Sequence, residues 1–275
     1  MTIRHDGITA EWLGYAGLRL ESGDGTVVYL DPGRYGTLTG EWTPDSPGAG
    51  HPEPRDYWPE DGVSASEASG GSSDRGSDAD LVLVTHDHHY DSDDIRRVAG
   101  EDATVVVYEA VYPPKIDREG GSLDDLPFEV VRVDEADDRL FGDVVVRTVP
   151  AYNEPDGPHT SADGEPFHPE GFGVGFHVTL PGRTSGGAVE DVTVFWPGDT
   201  DALPGHAELD VSLFCPPIGG SFTMDRHEAA DLAAELDPDL VLPIHYNTFE
   251  ALQTDSGAFA ADVAGRGVPV VLDER

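Results

Sequence analysis

The chain has 275 residues, enough for one large α/β domain with a full core. Its 54 acidic against 16 basic residues give a formal charge of −38, which opposes nucleic acid and anionic membranes as partners and leaves a small-molecule substrate as the expectation. Cys215 is the only cysteine, so a disulfide framework and a Cys-based zinc site are excluded.

No stretch approaches the roughly 20 apolar residues of a membrane span, and the N-terminus has no apolar signal core. A soluble, cytoplasmic protein is predicted, with its oligomeric state open. Cys215 sits in the apolar run 211–215 and reads as a buried structural thiol.

The chain opens with β-type runs at 8–13, 17–20 and 26–30. Ser22-Gly23-Asp24-Gly25 supplies hairpin chemistry between the last two, and Asp31-Pro32-Gly33 ends the third. From about 35 to 79 the composition turns to Pro, Gly, Ser, Asp and Glu, and 64–78 is nearly all small or acidic. This predicts an acidic insertion with a disordered second half. Its aromatics Trp42, Tyr57 and Trp58 are placed to fold the first half over a site.

Next comes Leu81-Val82-Leu83-Val84-Thr85-His86-Asp87-His88-His89-Tyr90-Asp91, an apolar strand running straight into imidazoles and carboxylates. Rigid strand ends are where a fold holds a metal with an open position. His86 and His88, two apart on extended chain, point to one side and reach one ion. A helix at 93–99 and strands at 103–108, 128–133 and 143–149 follow, with a turn at 139–142. Strands at 173–180, 191–196, 209–214, 240–244 and 268–272 complete the pattern. One helix, capped by Thr223, carries Ala229, Leu232, Ala233 and Leu236 on one face; another spans 258–264. Strands first, then mixed strands and helices, twice over, predict two sheets packed face to face with helices outside.

Three further segments repeat the strand-end signal. His168 follows Pro166-Phe167 in a loop entering a strand; His159 in the same loop reads as solvated. Asp199 follows Val194-Phe195-Trp196-Pro197-Gly198, with Asp201 read as a turn or cap residue. His245 follows Leu242-Pro243-Ile244. Among the remaining histidines, His5, His51, His206 and His227 read as surface residues and His177 as structural. Arg34 and Tyr35 are placed to face the site and meet an anionic substrate.

Together, His86-x-His88 with Asp91, Ala151-Tyr152-Asn153 with Phe167-His168-Pro169, Gly198-Asp199-Thr200-Asp201 and Pro243-Ile244-His245-Tyr246 resemble the metallo-β-lactamase superfamily. The nearest branch by this likeness is the small ascorbate-6-phosphate-lactonase type, whose Gly-Gly loop before a helix is similar to Gly219-Gly220 here. The resemblance implies one αββα domain over 1–275, interrupted by the insertion, with one or two divalent metals, zinc first and manganese or iron as alternatives. It assigns His86, His88 and His168 to one ion, Asp91 and His245 to the second, and Asp199 to both. Asp91 would also orient the water or take its proton, giving a hydrolase of a small ester, lactone or phosphoester.

The family usually reads His-x-His-x-Asp-His, and here the last His is missing in either register. Ungapped, Tyr90 and Asp91 fall on the final Asp and His; with one residue inserted, they become Asp91 and Ser92. His89 stands as the substitute ligand, or else as a solvent-facing residue or one behind the site. The vacancy also motivates a non-hydrolytic metal-binding or sensor protein as the alternative. The spread acidic charge and single lysine, Lys115, resemble proteins of salt-accumulating halophiles. In molar salt the Debye length falls to about 3 Å and the self-repulsion is screened.

Overall fold

The computed structural model describes residues 2–46, 48–53, 77–116, 121–182 and 190–274. The second half of the insertion, with Tyr57 and Trp58, lies outside the described residues. The chain builds two mixed sheets with helices, as the alternation of patterns predicts.

The first sheet takes its strands in chain order: β1 (Ile3–His5), β2 (Ile8–Gly14), β3 (Gly17–Glu21), β4 (Val27–Leu30), β5 (Ala79–Val84), β6 (Ala99–Tyr108) and β7 (Glu129–Val133). β1 to β4 are antiparallel hairpin partners, whereas β4 to β7 run parallel. The inner parallel strands β4 and β5 are covered on both faces, so their sequences are near-continuous apolar runs rather than alternating ones, whereas edge strand β7 exposes Glu129 and Arg132. In β5, Leu81, Val82, Leu83 and Val84 are all buried.

The second sheet is again sequential: β8 (Asp138–Phe141), β9 (Val144–Ala151), β10 (Gly173–Pro181), β11 (Asp191–Trp196), β12 (Leu213–Phe214) and β13 (Leu240–Val241). β8 to β11 are antiparallel and β11 to β13 parallel. One hydrophobic core draws on both sheets and on α1 (Ser92–Val98), α2 (Arg226–Leu236) and α3 (Ser256–Gly265). α1 joins the parallel neighbours β5 and β6 and α2 joins β12 and β13, so each helix lies across a sheet face. α2 buries Ala229, Ala230, Leu232, Ala233 and Leu236, the predicted stripe.

Four local expectations change. Residues 138–141 form edge strand β8 rather than a turn, with Leu140 69% exposed. Asp225, not Thr223, caps α2, accepting from the backbone N–H of His227 and Glu228. The strand at 209–214 shortens to β12, and 268–272 reduces to a single bridge from Val270 to Val241.

The parallel strands of both sheets end in the same region, and that is where the chain turns its polar residues inward. The first part of the insertion packs there too. Trp42 stacks on His51 at 3.8 Å and donates through Nε1 to the Thr248 carbonyl (2.8 Å). His51 is therefore buried rather than on the surface, its Nε2 3.1 Å from Thr248 Oγ1, and burial pushes its pKa down to about 4. Among the described residues, no helix is long and apolar enough to cross a membrane.

Candidate metal centre

β5 delivers His86 in extended backbone, and the chain then curls into a single 3-10 turn over Asp87–His89. His89 N donates to His86 O (3.2 Å), and Asp87 Oδ1 pins the turn by accepting from Tyr112 N. This turn sends neighbouring imidazoles in opposite directions. His88 Nδ1 lies 3.2 Å from His168 Nε2, whereas His89 Nε2 lies 3.1 Å from His245 Nε2.

Asp199 stands between the two groups. Its Oδ2 is 3.3 Å from His168 Nε2 and 3.6 Å from His86 Nε2. Its Oδ1 is 3.3 Å from His245 Nε2 and 3.5 Å from His89 Nε2. Gly198 makes this approach possible at φ 73°, where a Cβ would stand 2.8 Å from the Val174 carbonyl oxygen.

The hydrogen bonds behind the rings fix which nitrogen faces inward. His86 Nδ1 donates to Thr85 Oγ1 (2.8 Å), His89 Nδ1 to Asp31 Oδ2 (2.8 Å), and His168 Nδ1 to the Phe222 carbonyl (3.1 Å). Each leaves Nε2 with a lone pair directed into the cluster. Burial first, and neighbouring imidazoles second, hold the His86 and His89 pKa values well below 6.5; the same causes bring His168 to about 3. Burial brings His245 to about 4. All four rings are thus neutral at pH 7, the form a metal needs. Burial, then the Asp31 charge, pushes Asp199 well above the carboxylate range.

The donor set fits a metal. Unprotonated nitrogens 3.1 to 3.2 Å apart repel unless a cation or proton lies between them. Ligands about 2.0–2.2 Å from a tetrahedral ion sit roughly 3.3–3.6 Å from one another, the spacing seen around Asp199. His86 Nε2 and Asp199 Oδ1 are buried atoms with no hydrogen-bond partner. An ion supplies what both lack.

Of the expected site residues, His86, His88, His89, His168, Asp199 and His245 are brought together. Asp91 is not. Its side chain accepts from Asp93 N and Asp94 N (both 3.1 Å) as the N-cap of α1, so the expected ligand and proton acceptor is a helix cap here. The 3-10 turn explains the difference: it places His89 beside His245 and carries the chain past the cluster before Asp91.

Asp31 was read only as a turn residue, yet it is buried behind His89. Its Oδ2 accepts from Thr85 Oγ1 (2.7 Å), His89 Nδ1 and Trp196 Nε1 (2.7 Å), and Oδ1 accepts from Thr85 N (2.8 Å). It ends β4 as His86 and Asp199 end theirs, so the strand-end signal was present.

A second supporting chain runs behind His168. Asn153 Oδ1 accepts from His168 N (2.9 Å), Asn153 Nδ2 donates to Asp201 Oδ1 (2.8 Å), and His159 Nδ1 donates to that oxygen (2.6 Å). His159 is buried rather than solvated, and Asp201 is a hub rather than a cap. His206 is buried as well, bonding to the Pro150 carbonyl (2.9 Å). His227 is exposed, His5 is half-buried, and His177 bonds to the Asp210 carbonyl (2.9 Å) as a structural residue. Cys215 is buried, and burial raises its thiol pKa.

Above the cluster opens a cleft of about 530 Å³. His88, His168, Asp199 and His245 reach it from below, while Arg34 and aromatic side chains form its walls. Six non-glycine residues at or beside the site adopt left-handed backbone, at φ 44° to 71°: Tyr15, Asp31, Arg34, Tyr35, His245 and Asn247. Strain of this kind persists where surrounding contacts over-determine it.

The sequence pattern of the beta-lactamase superfamily domain matches residues 9–245. A UPF0173 metal-dependent hydrolase of Pyrococcus horikoshii is 30% identical over 204 residues, covering 71% of this chain and 79% of the relative. One from Thermococcus kodakarensis is 31% identical over 205 residues, with the same coverage. In structure, the chain superposes on a metallo hydrolase from Ignicoccus hospitalis with TM-score 0.61 and 20% identity, over 97% of this chain and 95% of that one. That last likeness concerns the fold alone.

Proposed function

The chain belongs to the metallo-β-lactamase superfamily, among its UPF0173 metal-dependent hydrolases, and on that premise we propose that it cleaves a small ester, lactone or phosphoester. The observation that carries this reading is the convergence of five imidazoles and Asp199 beneath one open cleft. His86, His88 and His168 would hold one ion, His89 and His245 a second, and Asp199 would touch both. Bound there, a divalent metal supplies Lewis acidity toward a carbonyl or phosphoryl oxygen and a water nucleophile active near pH 7.

The chain's own residues prepare that chemistry. Thr85, Asp31 and the Phe222 carbonyl hold Nδ1 protons on His86, His89 and His168, so these three need not change tautomer or rotate. Tyr15 packs edge-on to His89 (5.1 Å) and tilted against His245 (4.6 Å), shutting water out from one side. Among the described residues, His88, His168, Asp199 and His245 line the cleft, which gives a substrate its way to the cluster.

Zinc is the first choice of metal, since imidazole-rich sites suit it, with manganese and iron as the alternatives. The finer likeness to the ascorbate-6-phosphate-lactonase branch rests on the Gly219-Gly220 loop, where Thr223 N closes a turn on the Gly220 carbonyl (2.9 Å). A saline working environment follows from the −38 charge. The sensor alternative was motivated by the missing final histidine, and His89 supplies an imidazole in its stead.

The test is a panel of small esters, lactones and phosphoesters presented to protein loaded with zinc or manganese in molar KCl, with Asp199→Asn and His89→Ala alongside. Turnover that both substitutions abolish is expected. A fully loaded wild-type protein inert across the panel would overturn the reading.

A further inference from the structure

Resting on the hydrolase reading above, we propose that the cleft selects substrates carrying an anionic oxyacid group, a carboxylate or phosphate, next to the scissile bond, and that Arg34 binds that group. Among the described residues, Arg34 is the one arginine or lysine lining the cleft. In a chain with 54 acidic residues, arginines readily find acids. Arg19 pairs with Asp78 (2.8 Å), Arg147 with Asp138 (2.7 Å) and Arg139 with Asp137 (2.8 Å). The Arg34 guanidinium has no carboxylate within ion-pair reach among the described residues.

Its position is nonetheless held firmly. One Nη1 donates to the carbonyl of His88, and the guanidinium carbon lies 4.7 Å from the centre of the Tyr35 ring. The Arg34 backbone N donates to Asp94 Oδ2 (3.0 Å), and Gly33 packs so close that a Cβ there would stand 2.2 Å from that oxygen. Arg34 and Tyr35 both accept left-handed backbone, at φ 71° and 55°. The chain thus adopts a strained turn that keeps a cation beside the cluster without an ion-pair partner among the described residues.

A guanidinium carries five N–H donors in a planar fork that matches carboxylate and phosphate oxygens. Few of the five are committed here. Because the His88 carbonyl anchors the group, an anion on the free donors sits beside the cluster rather than at a distant rim. The chain's overall field repels anions, and a local cation of this kind offsets that repulsion at the cleft.

The walls describe the rest of the molecule. Tyr35 is 47% exposed and Phe167 36%, large apolar surfaces left open at the cleft mouth. Phe167 meets Phe222 edge-on at 4.9 Å, and Tyr35 meets Phe249 at 5.3 Å. A flat or apolar body between these rings, with its anionic group on Arg34, fills the cleft.

The test is calorimetric titration of metal-loaded wild type, Arg34→Gln and Arg34→Lys with phenylacetate, phenylphosphonate and neutral benzyl alcohol, at one fixed ionic strength. Metal content is measured in each protein. Wild type should bind at least one anion about tenfold or more tighter than benzyl alcohol. Arg34→Gln should lose about tenfold or more for that anion while leaving benzyl alcohol and metal content unchanged, with Arg34→Lys in between because it keeps charge and loses the fork. The tighter of the two anions tells carboxylate from phosphate.

Anion binding unchanged in Arg34→Gln would overturn the proposal, since the anion would then rest on the metal alone. Should the Gln variant fail to fold, wild-type preference and the Lys variant decide: no anionic preference, or full binding by a variant that lacks the fork, overturns it. Arg34-dependent binding without turnover on any ester would leave the anion subsite standing and remove the hydrolase reading. Turnover that ignores both substrate charge and Arg34 would do the reverse.

Discussion

Replacing Asp31 by Asn removes one charge from behind His89 with almost no change of shape. Oδ2 accepts three hydrogen bonds and Oδ1 one. An Asn therefore settles with its oxygen in the Oδ2 position, and its NH₂ then faces the backbone N–H of Thr85. Two buried donors, the Thr85 N–H and the amide NH₂ that faces it, are left unmatched, at a cost of about 1–3 kcal/mol each. The metal effect is separate: His89 loses a charged acceptor on Nδ1, its Nε2 becomes less basic, and affinity at the His89–His245 position should fall about 10–100-fold. Chelator competition on the holo protein and denaturant unfolding of the metal-free protein measure the two effects independently. Burial pushes the Asp31 carboxyl up to about 6, against hydrogen bonds from Thr85 and Trp196. The wild-type side chain is therefore increasingly neutral below that pH, and the affinity gap should narrow from pH 8 to pH 5. A metal affinity within twofold of wild type at pH 8 would refute the positioning role, even if stability fell as expected.

His89→Ala should bind about one metal fewer per chain by elemental analysis, whereas Asp91→Ala should keep full metal content. The latter should lose about 0.5–2 kcal/mol through its helix cap; loss of metal on Asp91→Ala would reverse the two assignments. The His159–Asp201 pair has a pH signature. Hydrogen bonding to His159 lowers Asp201 despite burial, so its contribution is present above pH 4 and is lost as pH falls through the folded value. Asp201 in turn raises His159 despite burial, so that contribution is complete below pH 6.5 and is lost as pH rises through its folded value. The destabilisation caused by His159→Ala should therefore peak between about pH 4 and 6.5, and unfolding curves flat across pH 3–9 would contradict this. Chelation should lower the melting temperature, since an ion held at 100 times its Kd contributes about 2.7 kcal/mol to the folded state. An unchanged melting temperature after verified metal removal would show that the cluster closes without an ion.

Much of the site was legible because its ligands end apolar strands. His86 and Asp199 follow β5 and β11, and four or five buried apolar residues before each supply the signal. Spacing along the chain points to Asp91, which caps α1 in the structure, because spacing says nothing of a single 3-10 turn. That turn rests on Asp87 reaching the backbone of Tyr112, 25 residues away. Asp31 carried the same strand-end mark as the ligands, but Asp-Pro-Gly is such strong turn chemistry that the mark went unused. His51, His159 and His206 look like surface residues in sequence because the partners that bury them lie 197, 42 and 56 positions away. Edge strand β8 was taken for a turn because Gly142 closes it and Leu140 points to solvent, leaving little alternation to read.

The sequential order of strands within each sheet has a consequence for how the protein is made. Asp31, His86, His88 and His89 belong to the half that leaves the ribosome first; His168, Asp199 and His245 belong to the half that follows. His89 and His245 are 156 positions apart, so closing the cluster means closing a long loop, with its entropic cost. The first half carries three of the candidate imidazoles but not Asp199, which stands between the two groups. On the ligand assignment proposed above, a complete set exists only once translation has passed residue 245, so an ion would seal the cluster late rather than seed the folding of the first sheet.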